Sequence, residues 1–174
     1  MAVRVRDVNK DTDIIRMKDD ILKRLYNNPN IIQFLDNDEI DPETPDTAVW
    51  HGLYPYIRIP GIQEEVHAFI GVELDSVYQN EINRLYREMQ AVIYVVCAEK
   101  FLKVDGEKGI RTDILADEIV ETLNHNNRMG FTFQLYDLKE SVFENPRYYY
   151  RRIRFRVIQS NTMKGGRTLY QNKT

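Results

Sequence analysis

The stretch RYYYRRIRFRVIQSN, residues 147–161, carries five arginines and four aromatic side chains in its first ten residues and no acid anywhere. Read in steps of two, Tyr149, Ile153, Phe155 and Val157 share one side, with Arg151 near the start. Tyr148, Tyr150, Arg152, Arg154 and Arg156 share the other. Side chains alternate across a β-strand, so this is a strand with an apolar inner face and an arginine–tyrosine outer face. Two kinds of partner suit such a face. Aromatics beside arginine stack on single-stranded nucleic acid, and tyrosine and arginine are equally the residues enriched in protein interfaces. Arginines on one side of a strand stand about 7 Å apart. They repel unless acids lie opposite, so the sequence predicts a partner that supplies the compensating charge.

The rest of the chain narrows the choice. At 174 residues it suits one domain with a core of its own. It is 43% hydrophobic and 29% charged, as soluble globular proteins are. With a formal net charge of −3 and a pI of about 5.7, nothing global attracts polyphosphate, and a nucleic-acid site has to be a local patch. The lone cysteine, Cys97, excludes an intrachain disulfide and fits a reducing compartment. The N-terminal MAVRVRDVNKD lacks the apolar segment of a secretory signal. The longest apolar run, AVIYVVCA at residues 91–98, is too short to span a bilayer. Together these predict a soluble protein made inside the cell, with no membrane partner.

Helical spacing marks DIIRMKDDILKRLYNN, where Ile14, Met17, Ile21, Leu22 and Leu25 form one stripe. Thr12 or Asp13 suits its cap, and Asp19–Lys23 and Asp20–Arg24 are favourable i,i+4 pairs. Asn27-Asn28-Pro29 ends it, and residues 31–35 suit a short second helix. DNDEIDPETPD, residues 36–46, then holds six acids, two prolines and no base. Asp38, Glu39, Asp41 and Glu43 read as an acidic contact surface on an exposed loop that a basic partner or a cation orders. The loop lacks the glycine that a calcium-binding EF-hand needs at its sixth position, so no metal is assigned.

Strands follow. YPYIRIP, residues 54–60, reads as an edge strand with proline at both ends. VHAFIGVELD alternates, with Val66, Ala68, Ile70, Val72 and Leu74 on one face and His67, Phe69, Gly71 and Glu73 on the other. The segment from Glu81 begins polar and ends in AVIYVVC, a central strand covered on both faces. After the turn VDGEKG comes a second strong helix, from Thr112 as its cap to about Asn126, burying Leu115, Ala116, Ile119, Val120 and Leu123. Asp113, Asp117 and Glu121 line its solvated edge. FTFQLYDL and the arginine strand close the domain, which spans residues 1–162; residues 163–174 form a flexible polar tail. With few helices between strands, the fold is α+β: a mostly antiparallel sheet with two main helices packed against it. Its core should include Ile21, Leu25, Ile70, Val72, Ile93, Val95, Ile119, Leu123, Phe133, Ile153 and Phe155.

Chemistry finds little purchase. His51, His67 and His125 have no ligand spacing, and Cys97 ends an apolar strand as a buried thiol would. Asp105, Glu107 and Lys108 crowd together in a turn with the wrong spacing for a nuclease. No catalytic residue, metal or cofactor is assigned, and an enzyme built from scattered carboxylates is the weakest reading.

The order of four stretches resembles the tail terminator, or tail-completion, proteins of tailed bacteriophages. They are DIIRMKDDILKRLYNNPNII; YPYIRIP; the polar-to-apolar segment ending AVIYVVC before RTDILADEIVETLN; and the pair FTFQLYDL and YYYRRIRFRVI. The acidic loop is longer than usual in that family. The resemblance implies a virion neck protein without catalytic residues. It implies a ring, the hexamer of that family, that caps the tail tube protein and meets the head connector. The acidic loop of one copy and the arginine strand of the next are then candidate interface surfaces. The competing reading is a nucleic-acid-binding accessory protein that uses the strand from Arg147 to Arg156.

Overall fold

The computed structural model describes residues 13–58, 67–79, 86–124, 131–142 and 147–160. The expected cap at Thr12, the last two residues of YPYIRIP, His125, Gly130, the turn around Pro146 and the C-terminal tail lie outside them. Helix α1 (Asp13–Tyr26) and helix α2 (Pro29–Leu35) come first, then the two-residue strand β1 (Leu53–Tyr54). Strands β2 (Ala68–Gln79) and β3 (Tyr86–Ala98), helix α3 (Arg111–Leu123), and strands β4 (Phe131–Val142) and β5 (Tyr148–Ser160) complete the chain. The strands form one sheet in the order β1-β2-β3-β5-β4. Every pairing is antiparallel except β1 with β2. The fold is α+β, as the hydrophobic pattern predicts.

All three helices pack on one face of the sheet. Met17, Ile21 and Leu25 of α1, Ile31 and Leu35 of α2, and Leu115, Ile119 and Leu123 of α3 meet the inward side chains of the sheet in one apolar cluster. Register puts Ile70 opposite Val95, Ile93 opposite Ile153, and Phe133 opposite Val157, so these residues share the helix-covered face. Each of the eleven core positions expected from the sequence is buried. β3 is the middle strand, and its Val92 and Val96 on the other face are buried as well. Cys97 lies in this core, where burial pushes its thiol up to about 12 and leaves it unreactive.

Three local expectations change. First, the short helix expected over residues 31–35 starts two residues earlier, at Pro29, because the dipeptide that stops α1 also starts it. The Asn28 side chain accepts from the backbone N–H groups of Asn30 (2.9 Å) and Ile31 (3.4 Å), with Pro29 in the first turn. Second, Thr112 does not cap α3. Ile110 occupies the cap position without a side-chain bond, and Thr112 is buried inside the first turn. Third, the YPYIRIP strand stops at Tyr54. Pro55 has no N–H to continue the ladder, and the chain instead crosses the outer face of β2. A Cβ on Gly71 would lie 2.8 Å from the Tyr56 carbonyl oxygen and 3.2 Å from the Ile57 Cα, so only glycine admits the crossing.

One buried guanidinium joins the helices at their ends. Arg111 donates from Nε to the Phe101 carbonyl (2.8 Å) and from Nη1 to the Phe34 carbonyl (2.8 Å). Its Nη2 donates to Asp36 Oδ2 at 3.0 Å. Replacement by Met keeps the stem and strands two buried carbonyls. Arg111→Met should cost about 2–4 kcal/mol in urea denaturation, whereas Asp36→Asn, at a half-exposed partner, should cost less than ~1 kcal/mol. Gly71→Ala should destabilise by about 1–3 kcal/mol, because backbone is what the new methyl meets.

Candidate functional site

The face of the sheet away from the helices holds most of the residues singled out in the arginine strand. It divides into two regions. At the β1 end, Tyr54, Phe69, Val96, Ala98 and Tyr148 make a second apolar cluster, with Tyr94 and Tyr150 against it. Tyr148 is therefore buried packing and not an open contact, a correction to its reading as an interface residue. Tyr150 is half-buried, its ring 6.0 Å from that of Tyr94 on the neighbouring strand.

Toward β4 the face becomes charged. Arg154 donates from Nε (3.0 Å) and Nη2 (2.6 Å) to Asp137 Oδ2. Arg152 reaches the same oxygen at 3.5 Å, and its buried Nε has no hydrogen-bond partner. Arg156 is exposed and lies opposite Gln90 and Gln134. On the inner side, Arg151 is held by Asp113 of α3 (2.7 Å) and Glu140 of β4 (3.2 Å). The expectation that a partner must neutralise this row changes for two of its three members: Asp137 of β4 faces Arg152 and Arg154 from within the chain. Asp113 likewise is an ion-pair partner and not simply part of a solvated edge.

The acidic loop is also better organised than its composition predicts. Ile40 is buried against the core, and Asp41 caps a turn. The Asp41 carboxylate accepts from the Glu43 N–H (2.9 Å) and from the Thr44 hydroxyl, which holds its carboxyl below the usual carboxylate range. The loop's turns are held by its own side chains, among them Asn37, Asp41 and Thr47. Asp36, Asp38 and Glu39 line a pocket of about 410 Å³ together with Trp50, Tyr54, Arg58 and His67. Glu43 is exposed on the surface. Within one chain the loop and the arginine row do not meet, since β2 and β3 separate β1 from β5. His67 stacks on Phe101 with ring centroids 3.7 Å apart and lies 3.6 Å from Asp36 Oδ2. Asp105 pairs on the surface with Lys103 at 3.2 Å.

Sequence reasoning missed Asp137, Arg111 and Trp50. Asp137 follows a bulge between Leu135 and Asp137 in β4, which shifts the β4 register relative to the sequence alternation. The Arg154 guanidinium holds the Asp137 carboxyl below its usual range. A depressed folded-state value stabilises the fold above the unfolded-state range and is lost as pH falls through the folded value. Asp137→Asn should therefore lower the urea midpoint at pH 7, and the gap from wild type should close as the solution is acidified through the carboxylate range.

Comparison with known proteins adds a family. No curated protein matches the chain. A protein-family model described as YomW, a name that derives from a Bacillus phage region, matches residues 18–157. That interval runs from the first turns of α1 to Val157 of β5 and includes the sheet, the helices and both surfaces described above. The chain belongs to the YomW family.

Proposed function

We propose that this chain is a structural subunit of a tailed-phage neck, a tail terminator or tail-completion protein. In this reading copies assemble into a ring, a hexamer, that caps the tail tube and meets the head connector in the virion. The observation that carries the reading is the one-sided sheet. A helix, a long antiparallel pair, a second helix and a final hairpin follow one another in the order of those proteins, with every helix on one face. The phage origin of the family name supports the same reading.

The character of the outer face is in keeping with it. Its arginines are held at fixed geometry by Asp137, as docking surfaces hold theirs. A groove for nucleic acid needs cations offered to phosphates, and Arg151, Arg152 and Arg154 already face carboxylates.

Light scattering on the purified protein, with and without single-stranded DNA, tests the proposal. The expected result is a particle about six times the 20.7 kDa chain mass, unchanged by the DNA. A monomer at all concentrations that binds the DNA with steep salt dependence would establish the nucleic-acid reading instead.

A further inference from the structure

Two exposed aromatic rings stand at opposite edges of the sheet, and each is put there by a departure from regular backbone. Trp50, the only tryptophan, has φ of +79°, a conformation that bulky L residues rarely adopt. Its N–H donates to the Leu53 carbonyl at 2.9 Å, which places it beside β1. The side chain is 59% exposed, and Tyr56, 46% exposed, leans on it with centroids 6.1 Å apart. At the other edge Tyr136 is the extra residue of the β4 bulge and is 66% exposed. The Arg154 guanidinium lies 5.7 Å over its ring, and Leu138 nearby is 42% exposed. Neither Trp50 nor Tyr136 belongs to an apolar cluster of the described residues. Strain and a bulge that aim large rings into water serve contact with something else.

The two edges differ in charge. The pocket beside Trp50 is lined by three acids, Asp36, Asp38 and Glu39, against one arginine, Arg58, and Asp36 is paired with Arg111, which leaves Asp38 and Glu39 as its acidic side. Around Tyr136, Arg152 and Arg154 share a single acid, Asp137, and Lys139 lies opposite Arg152 in register. Like edges brought together would set acid against acid or base against base. Unlike edges attract. They also lie on opposite sides of a five-stranded sheet, about 20 Å apart at the usual strand spacing.

From this we infer a heterologous contact between copies of the chain. The Trp50–Tyr56 edge of one copy seats on the Tyr136–Leu138 edge of the next, with the acidic pocket wall facing Lys139 and Arg152. The inference rests on the ring reading and names the surface that joins its subunits. A head-to-tail contact of this kind closes into a ring when its rotation closes.

Two single-sided variants of the full chain test it. Trp50→Gly removes one edge while suiting the positive φ, so the monomer keeps its fold; Tyr136→Ser removes the other edge at an exposed site. Each alone should raise the concentration needed for assembly by at least about tenfold, as loss of a central aromatic anchor does. Mixed in equal amounts, they should form dimers that go no further, because one intact edge of each kind remains. Trp50→Gly has no tryptophan, so emission in the mixture comes only from Tyr136→Ser copies and should shift to the blue as dimers form. Variants that assemble as wild type does, or a mixture that stays monomeric beside an assembling wild type, would overturn the contact and leave the ring reading standing. A wild type that never assembles would remove both. Unchanged circular dichroism of both variants excludes misfolding as the cause.

Discussion

The arrangement of the helices depends on the Arg111 guanidinium. It sits at the start of α3, where a cation gains nothing from the helix dipole, and is nonetheless buried. What holds it is a set of three acceptors from separate segments: the Phe34 carbonyl near the end of α2, the carbonyl at Phe101, and the Asp36 carboxylate. A planar fork with fixed donors makes all three bonds at once, which an ammonium on a flexible stem does not. The end of α2, the start of the acidic loop and the start of α3 are thereby set relative to one another. Asp36 adopts a left-handed conformation (φ 51°) as the C-cap of α2, and this turns the acidic residues toward the Trp50 pocket.

The two faces of the sheet solve different problems. The helix side excludes water from a continuous apolar layer, and the charges that intrude there are paired: Arg151 with Asp113 and Glu140, Arg111 with Asp36, and Arg24 with Asp20. The opposite side is graded from aromatic packing at β1 to ion pairs at β4. A single carboxylate, Asp137, serves two arginines there, so the region keeps net positive charge. That residual charge, next to exposed rings, has the composition of an interface core and rim.

Much of the architecture was legible in the sequence because period and burial agree along the chain. The alternation in residues 148–157, the apolar ending of β3 and the α3 stripe placed their core positions correctly, with Val120 alone of the α3 stripe only partly buried. What escaped were features without period. Arg111 looks like any polar residue before a helix, since its three acceptors lie far from it along the chain or in irregular segments. Asp137 was hidden by the bulge, which breaks the two-residue step that would have set it beside Arg154. The acidic loop was misjudged for another reason. Composition counts its carboxylates as repelling charges, whereas Asp41 spends its oxygens on local N–H and hydroxyl donors and Ile40 anchors the loop in the core.

The crossing at Gly71 has a further consequence for how the protein behaves when crowded. β1 offers only two residues of edge, Pro55 follows without an N–H, and the chain then leaves the sheet plane. The far edge, β4, is long but interrupted at Tyr136. A foreign strand therefore meets only two residues at β1 and a run broken at Tyr136 at β4. Open sheets with flat edges template amyloid-like growth, and these two interruptions are the means by which natural sheets resist it. A chain built this way can reach high local concentration while its contacts remain those of side chains, finite in number and direction.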